Sequence, residues 1–259
     1  MTNYGTPTYL EAVSALLTLT FLEIVLGIDN LIFISIITQK LSEHHQKLAK
    51  NIGLFLAMLL RIVLLFGISV VVQMQSSWLT INTSWLKTNI NGQAVILILG
   101  GLFLLYKSTH EIFEKVEAEA TSENDSPVKL SLSKAIIQIT LLNIVFSFDS
   151  ILTAVGMTNG VPNAMTIMVI AIVVSVGIMM AFVKPVSAFI EKHPSLQILG
   201  LTFLILIGFM LITEGAHLSE TVMFNKKVGT IPKGYLYFAI SFSLGIEFLN
   251  MKLKGRKKN

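Results

Sequence analysis

Two stretches of the sequence carry the same polar pattern inside otherwise apolar surroundings. Residues 23–30 read Glu-Ile-Val-Leu-Gly-Ile-Asp-Asn, and residues 143–150 read Asn-Ile-Val-Phe-Ser-Phe-Asp-Ser. Polar residues occupy the first, seventh and eighth positions of each octet, and Ile-Val fills the second and third positions of both. Ionisable residues are rare within membrane-spanning segments and mark functional sites there. The octets therefore predict two related membrane helices, each with polar groups at the depth of the lipid.

The composition excludes an ordinary soluble domain. Apolar residues make up 53% of the 259 residues and charged residues only 13%, whereas soluble domains carry about 25% charged residues. The mean hydropathy is +0.74. The chain has no cysteine, which excludes a disulfide framework, a thiolate zinc site and a redox relay. The net charge of +4 is attributed to basic cytoplasmic loops, and no nucleic-acid partner is expected.

Seven apolar runs approach or exceed the roughly 20 residues that a helix needs to cross a bilayer. They predict an all-α, polytopic fold with a single transmembrane domain, and the count falls to six if the last run lies at the membrane interface. No basic residue precedes Lys40, so no cleavable signal peptide is expected. The runs are Leu10–Ile37, Ile52–Val72, Ile90–Tyr106, Ala135–Met157, Ala164–Val183, Leu196–Ile212 and Tyr235–Phe248.

Basic residues are distributed unequally between alternate loops. With the N-terminus outside, 14 Lys and Arg residues fall on the inner side and 4 on the outer side, while Arg61 lies within a span. Basic loops remain in the cytoplasm when membrane helices insert. The sequence therefore predicts that the N-terminus lies outside and the C-terminus in the cytoplasm.

A second match extends the repeat beyond the octets. Gly101-Leu-Phe-Leu104, followed by His110, resembles Gly208-Phe-Met-Leu211, followed by His217. Three spans in each copy invert the second copy relative to the first, as in many secondary transporters, whose ligands bind near the bilayer midplane. The sequence predicts repeat one over 10–110, an acidic cytoplasmic linker over 111–133, repeat two over 134–217 and a final helix over 234–250.

The octets supply oxygen ligands and no thiolate. Carboxylate, amide and hydroxyl oxygens suit Mg²⁺, Ca²⁺ or Mn²⁺ better than Cu⁺ or Zn²⁺. The amides and the hydroxyl have an alternative role in hydrogen bonds between helices. The candidate metal- or substrate-binding residues, predicted to converge near the bilayer midplane, are Glu23, Asp29, Asn30, Asn143, Asp149 and Ser150.

Three further residues are candidates for gating or for charge pairing. Arg61 lies within a span, and its alternative role is a structural ion pair with Glu23 or Asp29. His110 and His217 are expected to end corresponding helices of the two repeats. A histidine at a helix C-terminus can also simply complement the helix dipole.

Helix geometry separates the two carboxylates of the first octet. At about 100° per residue, Glu23 and Asn30 share a face of a straight helix, whereas Asp29 does not. Both carboxylates reach one ion only if the backbone bends or unwinds between them. Gly27 is suited to such a break, so the sequence predicts that the first helix is interrupted there.

These motifs resemble the TerC family of bacterial inner-membrane proteins, which belongs to a superfamily of lysine-exporter-like transporters. Besides the octet at 23–30, the resemblance rests on Phe-Ser-Phe-Asp-Ser at 146–150, Lys-Ser-Thr-His-Glu at 107–111 and Pro-Lys-Gly-Tyr-Leu-Tyr-Phe-Ala at 232–239. It covers nearly the whole chain. It implies seven spans with an inverted repeat, an inner-membrane location and transport, with manganese export in some members and an association with tellurite resistance in others.

The resemblance carries the family's functional positions over to this chain, with one departure. The family usually has Asp where this chain has Asn143. That exchange removes one negative charge from the predicted site and puts the ion identity and any proton coupling in question. Residues that match the family motifs by position are Glu23, Asp29, Asn30, Asp149 and Ser150.

The leading interpretation is a transporter, by resemblance an exporter, of a divalent cation, with Mn²⁺ favoured and Ca²⁺ or Mg²⁺ as alternatives. The expected partners are the lipid bilayer and the metal ion. No tightly bound cofactor and no catalytic residue are expected, and the oligomeric state is left open. The alternative is an exporter of a small cationic organic solute held by Glu23 and Asp29. An intramembrane aspartyl protease using Asp29 and Asp149 is disfavoured because the chain lacks a Gly-x-Gly-Asp pattern.

Overall fold

The structure is a computed structural model that describes residues 9–120, 130–158 and 160–256. Within these residues, seven helices are long and apolar enough to cross a membrane, which confirms the predicted all-α polytopic fold. The membrane helices are α1 (Tyr9–Gln39), α2 (Glu43–Phe66), α4 (Gly92–Ala120), α5 (Leu132–Met157), α6 (Ala164–Glu191), α7 (Pro194–Leu218) and α8 (Lys233–Arg256), and the short helix α3 covers Ile68–Gln73.

Large apolar side chains on the outer surfaces of these helices are exposed. Phe21 on α1 is 69% exposed, Val63 on α2 is 66% exposed and Phe238 on α8 is 69% exposed. Isolated apolar side chains are common on soluble proteins, but apolar residues at this density need lipid as their solvent. The surface therefore agrees with a membrane location.

Several helices extend beyond the apolar runs from which they were predicted. Helix α4 continues to Ala120 through the first part of the predicted linker, because its sequence there consists largely of Glu, Lys and Ala, which are strong helix formers. The prediction that His110 ends its helix is therefore wrong. His217 does lie in the last turn of α7. Residues 121–129 of the predicted linker lie outside the described residues.

The chain divides into two compact units. The first unit comprises residues 1–72 and 127–189 and contains α1, α2, α5 and α6. Helix α5 packs against both α1 and α2. A Cβ atom on Gly53 would lie 2.8 Å from Cγ2 of Ile139, so the missing side chain lets α2 and α5 approach closely. The core of this unit includes Leu19, Leu65 and Ile151.

The second unit comprises residues 73–126 and 190–259 and is built around the packing of α4 against α7. A Cβ atom on Gly101 would lie 2.6 Å from the carbonyl oxygen of Gly208, and one on Gly208 would lie 2.9 Å from the carbonyl oxygen of Gly101. Small residues permit this backbone-to-backbone approach in membrane helices. The contact is reciprocal and joins the two glycines that the sequence repeat matched, although the repeat boundaries themselves stay predictions.

The second unit also contains a small antiparallel sheet that the sequence analysis did not predict. Its strand order is β1 (Ser77–Asn82), β2 (Leu86–Asn91), β3 (Val222–Met223) and β4 (Lys226–Lys227). Phe224 and Asn225 have φ values of 49° and 61°, as a two-residue hairpin turn of the favoured twist requires. The pairing of β2 with β3 joins the segment before α4 to the segment after α7.

Helix α1 is continuous from Tyr9 to Gln39, so the predicted interruption near Gly27 is wrong. The structure gives a different reason for the glycine. A Cβ atom at this position would overlap Sδ of Met179 on α6. Gly27 therefore provides room for a neighbouring helix, and its conformational freedom is not used.

Candidate functional site

Glu23 and Arg61 form a buried ion pair in the first unit. Arg61 Nη1 donates a hydrogen bond to Glu23 Oε2. The side chain of Arg61 is 2% exposed and that of Glu23 is 3% exposed. Glu23 lies in α1 and Arg61 in α2, and these two helices pack together. A lone charge at the centre of a bilayer costs from about 2.5 to more than 10 kcal/mol. Pairing explains how both charges occur within apolar runs.

The guanidinium of Arg61 is not fully satisfied by this pair. Its Nε atom is buried and has no hydrogen-bond partner among the described residues. Leaving a buried donor unsatisfied costs roughly 1–3 kcal/mol. The pair is therefore a less favourable arrangement than a fully hydrogen-bonded arginine and carboxylate would be.

A small cavity lies beside Glu23 in the core of the first unit. Its volume is about 10 Å³, measured to the centre of a water-sized sphere, which is close to the space that one water molecule needs. Glu23 contributes a polar side chain to the wall of this cavity, and the other described residues that line it are apolar. They are Leu19, Leu65, Ile151, Ala154, Met168, Ala171 and Ile172.

Helix α1 adds a second polar group on the side of Glu23. Asn30 is 6% exposed and, because α1 is not interrupted, lies on the same helical face as Glu23. Asp29 also belongs to α1, but its side chain lies outside the described part of the structure. The break that was expected to bring both carboxylates to one ion is absent, and Glu23 has Arg61 as its partner.

Helix α5 carries the polar groups of the second octet toward the interior. Asn143, Ser147 and Ser150 are all buried. Asn143 Nδ2 donates to the carbonyl oxygen of Ile139 at 2.8 Å, Ser147 Oγ donates to the carbonyl of Asn143, and Ser150 Oγ donates to the carbonyl of Ser147 at 3.3 Å. These bonds use protons and leave the side-chain oxygens with acceptor capacity. The side chain of Asp149, also on α5, lies outside the described part.

The two octets thus belong to one unit and pack through α1 and α5. Among the side chains that are described, no three His, Asp or Glu residues form a cluster of metal-binding geometry, and neither Asp29 nor Asp149 is among those side chains. The convergence of all six candidate ligands on one ion therefore stays a prediction.

The two candidate histidines belong to the second unit and have local partners. His110 is exposed; its Nε2 lies 3.2 Å from Oε1 of Glu114, and its ring stacks on Tyr106 with centroids 6.0 Å apart. His217 Nδ1 lies 3.3 Å from the carbonyl oxygen of Val228. These contacts suit a structural role, and the gating role of either histidine stays a prediction.

A polar stripe in the first half of α1 was not predicted from the sequence. Glu11, Ser14 and Thr18 line a cavity of about 280 Å³ near the N-terminal end of that helix. Their spacing of three and then four residues places them on one helical face. That spacing was available in the sequence, but the stripe was absorbed into an apolar run that was defined by its average character.

The chain matches a known family of membrane proteins over almost its whole length. The model of the integral membrane protein TerC family matches residues 8–259. A UPF0053 protein of Haemophilus influenzae is 41% identical over 244 residues, which cover 94% of this chain and 95% of that protein. The UPF0053 inner membrane protein YgdQ of Escherichia coli is 42% identical over 237 residues, which cover 92% of this chain and 91% of YgdQ.

A longer relative contains a region of the same kind. The UPF0053 inner membrane protein YoaE of Escherichia coli is 38% identical over 237 residues, which cover 92% of this chain but 42% of YoaE. No solved structure matches the chain. The two Escherichia coli relatives are named as inner membrane proteins, which agrees with the seven membrane helices described above.

Proposed function

This chain belongs to the integral membrane protein TerC family, and from that premise we propose that it transports a divalent metal cation, most simply Mn²⁺, out of the cytoplasm. Ca²⁺ and Mg²⁺ are the alternatives within the same ligand chemistry. The candidate ligands are the oxygens of Glu23, Asp29, Asn30, Asn143, Asp149 and Ser150. The observation that carries the proposal is a buried carboxylate, Glu23, beside a cavity of about 10 Å³.

The size of this cavity favours a bare ion. It has room for about one water molecule, and a divalent ion held by oxygens at about 2.0–2.6 Å needs no more. An organic cation of several heavy atoms needs a larger space. A divalent ion beside Glu23 needs further oxygen ligands, because the other residues that line this cavity are apolar, and we assign that role to the remaining octet residues.

The ion pair suggests how Glu23 exchanges partners. Arg61 neutralises Glu23 while no metal is bound, and its buried Nε is left without a hydrogen bond. A divalent cation beside Glu23 repels the guanidinium, which then moves to other acceptors. Arg61 thus acts as an internal counter-ion that holds the site closed to lipid and water between transport events.

The same ion pair favours a second candidate function. Glu23 holds a guanidinium in the structure, so it has the chemistry to hold the cationic group of a small organic solute. Transport of such a solute requires a conformation in which the cavity beside Glu23 is larger. The two candidates differ in their ligand, and a binding measurement separates them.

The proposed orientation places the N-terminus outside and the C-terminus in the cytoplasm. The uneven distribution of Lys and Arg between alternate loops supports it. The acidic α1 octet then belongs to a helix that begins at the outer surface, and the octet of α5 belongs to one that begins at the inner surface.

Cellular metal content tests the proposal. A bacterial strain that lacks its own copy of the gene is supplied with the wild-type chain, Asp29→Ala or Glu23→Gln, grown in added Mn²⁺, and analysed by mass spectrometry for total metals. We expect the wild type to lower the manganese content and both variants to lose this effect. Glu43→Gln, a change at an exposed position at the start of α2, serves as the matched control and should behave as wild type.

Binding by the purified protein separates the two candidate functions. A ligand that binds the folded state raises its melting temperature. Stabilisation of the wild type by Mn²⁺, Ca²⁺ or Mg²⁺, lost in Glu23→Gln, supports the metal. The metal proposal is wrong if no divalent ion stabilises the purified protein and the cellular content of no divalent ion changes. In that case arginine, lysine and small amines are tested as ligands.

A further inference from the structure

The first unit contains a second cavity, beside the N-terminal half of α1. This cavity has a volume of about 280 Å³ and is lined by Glu11, Ser14, Ala15, Thr18 and Leu19 of α1 together with Met157 and Val161. Leu19 also lines the small cavity beside Glu23. One side chain thus contributes to the walls of both spaces.

The helix geometry explains this arrangement. Glu11, Ala15, Leu19 and Glu23 follow one another at intervals of four residues, which form a continuous ridge on an α-helix. The ridge spans about 18 Å along the helix axis from Glu11 to Glu23, at about 1.5 Å per residue. Leu19 lies one turn before Glu23 on this ridge, is 1% exposed and lines both cavities.

The polar wall of the larger cavity suits a cation. Ser14 Oγ donates to the carbonyl oxygen of Glu11 at 2.9 Å, and Thr18 Oγ1 donates to the carbonyl oxygen of Ser14 at 2.7 Å. Both hydroxyl protons are therefore occupied, and the hydroxyl oxygens remain as acceptors. The Glu11 carboxylate adds a negative charge at the mouth of the cavity.

The larger cavity has a volume that suits a hydrated ion, and the smaller cavity has a volume that suits an ion without its water. The larger cavity, about 280 Å³, is many times the roughly 10–15 Å³ that one water molecule needs by the same measure, so a hydrated divalent ion fits it. The smaller cavity, about 10 Å³, holds one water or one bare ion. An ion that passes from one cavity to the other therefore loses or regains water next to Leu19, which lines both.

We propose that the larger cavity is an aqueous vestibule for a hydrated divalent cation, and that Leu19 is the apolar gate that separates this vestibule from Glu23. Apolar constrictions close such routes by excluding water. The identity of the ion rests on the proposed function. The vestibule and the gate rest on the two cavities and are tested without any transport measurement.

Single cysteines report which positions of α1 face water, because the chain has no cysteine of its own. Thr18→Cys and Leu17→Cys are adjacent, both exposed in the isolated chain, and Leu17 lines neither cavity. A water-soluble, charged thiol reagent is applied to each full-length variant in lipid nanodiscs, where both membrane faces are open to it. The cysteine thiolate, which forms in water and not in lipid, is the nucleophile that attacks the reagent. We expect Thr18→Cys to react at least about tenfold faster than Leu17→Cys.

The gate is tested at a position beyond Leu19. Ala154 lines the cavity beside Glu23 and is 7% exposed. Ala154→Cys alone should be unreactive, and Ala154→Cys with Leu19→Ala should react with the same charged reagent. Leu16→Ala is the matched control, because Leu16 packs against the same core and lines neither cavity. It should leave Ala154→Cys unreactive.

The charge of the vestibule is tested with reagents of opposite sign. Glu11 should make Thr18→Cys react faster with a cationic reagent than with an anionic one of similar size. Glu11→Gln should lower this ratio by about threefold, since it removes one unit charge at about 10 Å. Circular dichroism and gel filtration of each variant establish that it is folded before its reaction rate is compared.

The possible results separate the two proposals. Equal rates for Thr18→Cys and Leu17→Cys overturn the vestibule, and reactivity of Ala154→Cys without the Leu19 substitution, or with Leu16→Ala, overturns the gate. Neither result concerns the metal. A further result is a reactive Thr18→Cys and a gate that depends on Leu19 in a protein that binds no divalent ion. That result supports the vestibule and the gate and overturns the proposed function alone.

Discussion

Glu23 and Arg61 are the residues whose chemistry depends most directly on their surroundings. Each carries a charge, each is at least 97% buried, and each lies within an apolar stretch of its helix. In a medium of low polarity the two charges attract strongly, but removing one of them leaves the other buried and uncompensated. The attraction between the two charges therefore adds little net stability. The pair matters mainly because losing either partner would leave the other charge buried and uncompensated.

We predict that Arg61→Gln lowers the stability of the protein more than the double variant Glu23→Gln with Arg61→Gln. Breaking a buried pair by removing one partner costs about 3–5 kcal/mol, whereas replacing both partners often costs little. Thermal unfolding of the purified proteins measures the difference. Lys226→Gln, at an exposed strand position, is the control and should melt as wild type. Equal melting of the single and double variants would contradict the prediction.

Asn143 is a buried candidate ligand whose amide donates to the Ile139 carbonyl. We predict that Asn143→Asp weakens the metal-free protein, since a carboxylate cannot donate that bond and adds a negative charge to the site. The same charge should strengthen Mn²⁺ binding, most at alkaline pH, because protons compete with the metal for carboxylates as the pH falls.

Melting temperatures of Asn143→Asp and the wild type, with and without Mn²⁺ from mildly acidic to alkaline pH, measure this effect. A larger Mn²⁺-dependent increase in the variant, which shrinks on acidification, is the expected outcome. Asn225→Asp, in the turn between β3 and β4, is the control for a general effect of added negative charge. The same increase in that control would show that Asn143 does not face the metal.

At the scale of helices, glycines allow neighbouring segments to approach closely, because an atom of the neighbour occupies the space that a side chain would fill. The consequences differ with the neighbour. At Gly27 the neighbour is the flexible side chain of Met179, whereas at Gly101 and Gly208 it is a backbone carbonyl. A side chain can rotate away from an added methyl group, but a backbone carbonyl moves only if the helix moves. The pairing of α4 with α7 is therefore less tolerant than the contact between α1 and α6.

We predict that Gly101→Ala destabilises the second unit by about 1–3 kcal/mol, the usual cost of overpacking. Gly245→Ala on α8 is the matched control, since nothing lies within 4 Å of the added atom. Alanine is the better helix former by up to about 1 kcal/mol, so this control should be neutral or slightly stabilising. Thermal unfolding in detergent compares the two. A Gly101→Ala protein as stable as the control would argue against the described helix contact.

At the scale of the whole chain, each compact unit takes elements from both predicted repeats. The first unit combines α1 and α2 with α5 and α6, and the second combines α4 with α7 and adds the sheet and α8. Neither repeat therefore forms a compact unit by itself. The proposed orientation is a property of the whole chain, namely the side of the membrane on which each end lies.

Reporter fusions test the orientation. We predict that green fluorescent protein at the C-terminus is fluorescent, since it folds in the cytoplasm, and that alkaline phosphatase inserted in the turn between β1 and β2 is active, since it folds outside. The positive-inside distribution of Lys and Arg is the physical reason. Alkaline phosphatase inserted in the linker between α4 and α5 should be inactive. The opposite pattern at all three positions would overturn the proposed orientation.

The sequence by itself determined the features that depend on solvent and on local pattern. Seven apolar runs predicted seven membrane helices because a bilayer demands about 20 apolar residues for each span, and the octets identified Glu23 and Asn143 as polar groups in those spans. The same method failed at helix ends. His110 was expected to end a helix, but α4 continues, because Glu, Lys and Ala favour helix without being apolar.

Only the tertiary structure decided how these elements use their special residues. A glycine at position 27 is compatible with a bend in the helix or with a close neighbour. The structure shows a close neighbour, Met179 on α6, which lies more than 150 residues away in the sequence. Arg61 was compatible with several partners, and the packing of α1 against α2 selected Glu23. Leu19 lines two cavities, although the sequence alone does not distinguish it from the other leucines of α1. Such roles depend on contacts between distant segments, which periodicity and composition do not encode.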